Sequence, residues 1–96
     1  MDSSDITKLR EKIDTLDQSI IELLGSRFVL TRQIGAIKSD GGWPVQDHER
    51  ETAQFQKLAK LAQEHAVPEQ LVLIIYRNII DTVLQEHRQH QSGDEL

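Results

Sequence analysis

Apolar residues recur along the first forty positions at alternating steps of three and four. One row runs Ile6, Ile13, Ile20, Arg27 and Ile34, and the row beside it Leu9, Leu16, Leu23, Leu30 and Ile37. Both rows fall on one stripe of a single long helix, predicted from about Ile6 to Lys38. Ser4 or Asp5 is placed to cap its start, and Asp40-Gly41-Gly42 followed by Pro44 stops it near Ser39. Asp47 then reads as the N-cap of a second helix that opens with His48-Glu49-Arg50-Glu51 and reaches about His65. Pro68 suits the first turn of a third helix, whose apolar face carries Leu71, Val72, Ile75, Ile79, Ile80, Val83 and Leu84 to about Gln89, with fraying expected from His90. No segment reads as a strand. The pattern predicts an all-α, single-domain, three-helix chain with a long first helix. Arg27 and the break at Gly41-Gly42 favour a bundle over a continuous coiled coil.

Length sharpens this picture. A helix of about 33 residues is roughly 50 Å long, whereas a compact domain of about 100 residues has a radius of gyration near 13 Å. With 96 residues, 38% of them hydrophobic, the chain has little else to lay along that stripe. An identical chain packed antiparallel would cover it, so a homodimer is expected.

The formal net charge of −5, with no basic run, argues against a nucleic-acid partner. No apolar run approaches the ~20 residues of a membrane span, and Met1-Asp2-Ser3-Ser4-Asp5 lacks the features of a signal peptide. The absence of cysteine removes disulfides and thiolate metal sites and permits a reducing compartment. A soluble, cytoplasmic protein without membrane, metal or cofactor is the expectation.

The one break in the apolar stripe is where chemistry enters. A guanidinium among Leu and Ile side chains costs several kcal/mol unless an anion meets it, so Arg27 either pairs internally or binds an anionic ligand. Lys38, eleven residues on, falls almost on the same helix face, roughly 16 Å along the axis, within converging reach of two long side chains. Arg10 lies roughly 25 Å the other way and on a different face, so only a second copy of the chain could bring it to the same ligand. In the second helix Asp47 and Glu51 share a face with Arg50 between them. A cap with solvated charges explains them in part, but Glu51 heads an apolar stripe with Phe55, Leu58 and Ala62 and so points inward, where it needs a hydroxyl or a cation. His87 ends the stripe of Ile80 and Val83, as a core imidazole or as a site donor; His48, His65 and His90 read as helix-start, helix-end and tail residues. The set binds a small dianion and steadies developing charge, yet contains no evident nucleophile.

Arg10, Arg27, Lys38, Asp47 and Arg50-Glu51, with Leu9-Arg10-Glu11-Lys12-Ile13 and Leu16-Asp17 in the first helix, resemble the all-helical chorismate mutase family from about Ile6 to His87. The resemblance implies an intertwined homodimer that rearranges chorismate to prephenate by a concerted [3,3] shift, without covalent catalysis. It implies that Arg27 and the second copy's Arg10 grip the substrate carboxylates, that Lys38 donates to the ether oxygen, and that Glu51 receives the ring hydroxyl beside Asp47 and Arg50. Val83 departs from the family's frequent serine, and His87 from its glutamine or glutamate. A neutral imidazole has one N–H to donate and an imidazolium two, so His87 is able to replace that glutamine. The departures keep two related substrates open: 4-amino-4-deoxychorismate, whose ammonium group would suit Glu51, and isochorismate, from which a lyase eliminates pyruvate. A dimeric helical interaction module is the non-enzymatic alternative.

Overall fold

The computed structural model describes residues 3–93. Its regular structure there is entirely helical: α1 (Ser3–Gly41), α2 (His48–Glu64) and α3 (Glu69–Gly93). The all-α, three-helix expectation holds. None of these helices is long and apolar enough to cross a membrane. The chain divides into two compact units, one ending at Thr31 and the other beginning at Arg32.

The first unit is α1 up to Thr31. The helix starts earlier than the capping residues suggested: Ser4 and Asp5 lie inside its first turn, where Asp5 suits the positive end of the helix dipole. Hydroxyls of Thr7, Thr15, Ser19 and Ser26 each donate to the carbonyl four residues back, so these polar residues are satisfied mid-helix. The apolar seam, by contrast, is open. Exposure along it rises from 40% at Ile6 to 70% at Leu23, with Leu9, Ile13, Leu16 and Ile20 between these values. A continuous row of exposed Leu and Ile is the signature of a surface that another element covers.

In the second unit, the end of α1 is closed by hydrogen bonds that follow from its glycines. Gly42 adopts φ +67, its N–H donates to the Ser39 carbonyl at 3.3 Å, and the Trp43 N–H donates to the Lys38 carbonyl at 2.8 Å. Two otherwise orphaned carbonyls are satisfied by a left-handed residue, which glycine adopts without a Cβ clash. Asp47 caps α2 as the sequence indicated, its side chain accepting from the Arg50 N–H at 3.0 Å. At the other end His65 is the C-cap, followed by Ala66 at φ 54.

Helices α2 and α3 pack together. Leu58 and Ala62 of α2, and Ile80, Val83 and Leu84 of α3, are buried. Each larger aliphatic side chain so placed contributes about 1.5–3 kcal/mol. The α2 stripe is the one that Glu51 heads in the sequence. On the solvent side, Arg32 holds Glu86 through two hydrogen bonds of 3.2 Å, tying the last turns of α1 to α3. Exposed to water, this pair adds orientation more than stability. Helix α3 does not stop near Gln89: His90 continues it and Gly93 ends it, because no strong breaker precedes that glycine. Residues 94–96 of the expected frayed tail lie outside the described residues.

Candidate active site

In the first unit, Arg10 is exposed and Arg27 is half-buried. The other candidates all stand in the second unit. Half-buried Lys38 lies one turn before the closure of α1, and its Nζ donates to the Val45 carbonyl at 3.3 Å across the loop. An ammonium carries three N–H donors, so this single bond orients it and leaves capacity for a ligand. Lys38 and Asp47 border a cleft of about 390 Å³. Asp47 uses one carboxylate oxygen as the α2 cap, and the Arg50 side chain beside it is exposed.

Glu51 is the most constrained charge among the candidates. Its side chain is 14% exposed; Oε1 accepts from Arg77 at 2.9 Å and Oε2 from the Gln46 side-chain amide at 2.8 Å. Burial pushes its carboxyl up, but the hydrogen bonds from Gln46 and Arg77 and the positive charges of Arg77 and His48 outweigh that effect and hold it below the ordinary glutamate value. A carboxyl depressed on folding stabilises the fold above its unfolded value, and the contribution fades as pH falls through the lowered one. Glu51 is therefore an anion, and an acceptor only, at neutral pH. The inward-pointing carboxylate expected from its place on the stripe finds its cation in Arg77.

His87 and Val83 are both buried on the inner face of α3. The imidazole lies against Gly35 of α1: a Cβ on Gly35 would stand 2.6 Å from His87 Cδ2 and 2.8 Å from Nε2. No side chain fits there without moving the ring. Gly35 and His87 border a cleft of about 400 Å³.

Sequence reasoning missed Arg77, Gln46 and Gly35. Arg77 could have been found, since it stands three, seven and ten positions before Ile80, Leu84 and His87, at the head of the α3 stripe as Glu51 heads that of α2. Gly35 carried a weaker signal, a glycine inside a helix where alanine would be about 1 kcal/mol better. The structure supplies the reason for accepting that cost.

Gly35→Ala is accordingly expected to lower the melting temperature of an otherwise native His87 protein by about 4 °C or more, despite alanine's better helix propensity. In a His87→Ala background the same change should be nearly silent. The four proteins form a cycle whose coupling, about 1 kcal/mol or more, is read from melting temperature. Independent effects would show that the contact does not position the ring.

The model of the family described as chorismate mutase type II matches residues 9–88. A chorismate mutase from Methanocaldococcus jannaschii is 33% identical over 76 residues, covering 79% of this chain and 77% of that protein. A bifunctional chorismate mutase/prephenate dehydratase from Aquifex aeolicus is 36% identical over 83 residues, 83% of this chain but 23% of its own length. The T-protein of Enterobacter agglomerans is 31% identical over 77 residues, 80% of this chain and 21% of that one. The chain thus spans most of the archaeal relative and a small part of the larger two. Since the match begins beside Arg10 and runs through Arg27, Lys38, Glu51 and the buried His87, the chain belongs to the type II chorismate mutase family.

Proposed function

We propose that the protein catalyses the rearrangement of chorismate to prephenate in aromatic amino acid biosynthesis, working as a cytoplasmic homodimer. The observation that carries this reading is the family match across residues 9–88, which includes every charged position proposed for the site. The uncovered seam of α1, from Ile6 to Leu23, supports the dimer, because a second copy is its best-matched cover. The cysteine-free sequence is compatible with the reducing cytoplasm.

In this reading Arg27 of one copy and Arg10 of the other hold the two substrate carboxylates and enforce the chair in which the reacting carbons meet. The ether C–O bond breaks while a new C–C bond forms, so no atom is transferred to the protein and no cofactor takes part. Negative charge grows on the ether oxygen as its bond stretches. Lys38 and His87 are the donors that stabilise it, and they act most strongly at the transition state, where that charge is greatest. Glu51 accepts from the ring hydroxyl, Asp47 and Arg50 complete that end of the site, and Val83 forms an apolar wall where a serine is frequent in the family.

Turnover of purified protein with chorismate tests the proposal. Loss of chorismate with matching formation of prephenate is expected. Release of pyruvate from isochorismate instead would identify a lyase. A helical interaction module would show no turnover and no thermal protection by a bicyclic mimic of the transition state.

A further inference from the structure

The ion pair between Glu51 and Arg77 bears on which substrate the site accepts. Glu51 offers one oxygen to Arg77 and the other to Gln46, so each oxygen keeps one acceptor direction for an incoming donor. Arg77 is itself fixed from several sides. Its Nε and second terminal nitrogen both donate to Asp81 Oδ1, at 2.9 and 2.7 Å, and its guanidinium carbon stands 5.4 Å from the centre of the Phe55 ring. Phe55 follows Glu51 by one turn on α2, and Asp81 follows Arg77 by one turn on α3. The guanidinium, on a side chain 42% exposed, is thus held between the two helices with one nitrogen directed at Glu51.

We propose that Arg77 is a specificity-determining residue, which compensates the Glu51 charge so that this carboxylate accepts a neutral ring hydroxyl and disfavours an ammonium group at the same place. The inference rests on the functional reading above, in which Glu51 meets the substituent on the substrate ring. A hydroxyl donates one hydrogen bond to the carboxylate and brings no charge, so the neighbouring guanidinium costs it nothing. An ammonium group in the same position gains the same bond but stands within a few ångströms of a fixed positive charge. Asp81 cancels that charge for the ligand only in part, since its side chain is 60% exposed and screened by water, whereas Glu51 is enclosed. The compensated carboxylate therefore favours chorismate over 4-amino-4-deoxychorismate.

The test compares kcat/KM for these two substrates in the wild-type protein, in Arg77→Gln and in Asp81→Asn. Wild type should prefer chorismate. Arg77→Gln keeps an amide donor but removes the charge, and should move the ratio toward the amine by about tenfold or more, the scale of one charge placed within ~4–6 Å. Asp81→Asn keeps the guanidinium and removes its exposed counter-charge, and should move the ratio toward the hydroxyl substrate; it decides the matter if Arg77→Gln does not fold. Turnover of chorismate with an unchanged ratio in Arg77→Gln, or a shift toward the amine in Asp81→Asn, overturns the role of Arg77 alone. Failure of wild type to turn over either substrate overturns the functional reading and this inference with it.

Discussion

Arg27→Met is expected to remove nearly all turnover while leaving the fold as stable as before, or more so. The sequence places Arg27 in an apolar seam between Ile20 and Ile34, and the structure leaves it half-buried in α1. Methionine keeps an unbranched apolar stem of similar reach, and it spares the protein the cost of desolvating a guanidinium. If the guanidinium held the fold together, its loss would be strongly destabilising, because its anionic partner would be stranded. If it instead grips a substrate carboxylate, the loss falls on catalysis. Removing one donor from a preorganised electrostatic site typically costs about 10²- to 10³-fold, and losing an orienting contact adds to that. Melting temperature and kcat/KM measured on the same preparation separate the two roles. A lowered melting temperature with full activity in the remaining folded protein would assign Arg27 to structure.

How far the sequence could be read depended on whether a feature was local. Helices announce themselves through near-neighbour spacing, so the Asp47 cap, the Gly41-Gly42 stop and the stripe of Leu58 and Ala62 were all legible. The end of α3 was misplaced because weak helix formers such as His90 give no stop signal, and propensity alone does not terminate a helix already anchored upstream. Side-chain pairing between helices was not legible in the same way. Glu51 clearly required a partner, but Arg77 is twenty-six positions away on another helix, where Asp81 one turn on also accepts from it. The role of Gly35 was hidden for a related reason: it is an empty space that only the ring of His87, on another helix, defines.

Mixing two inactive variants should restore activity if each site is shared between chains. Arg10 and Arg27 are seventeen residues apart on one helix, roughly 25 Å along its axis, so one copy cannot direct both at a substrate as small as chorismate. A second copy lying antiparallel along the exposed seam would bring its own Arg10 toward the first copy's Arg27. Arg10→Ala and Arg27→Ala homodimers should then each be nearly inactive, since every site lacks one arginine. In the mixed dimer, one site has lost both arginines and the other has lost neither. Random exchange makes about half the dimers mixed, with one intact site in each, so about a quarter of wild-type activity should return. Sedimentation before and after mixing checks the dimer, and a differently tagged copy checks that subunits have exchanged. Recovery to that level from a background at least a hundredfold lower is an effect that no partial defect in folding produces. Verified exchange with no recovery would place both arginines in separate roles within one chain, and a fully active monomer at micromolar concentration would remove the shared site altogether.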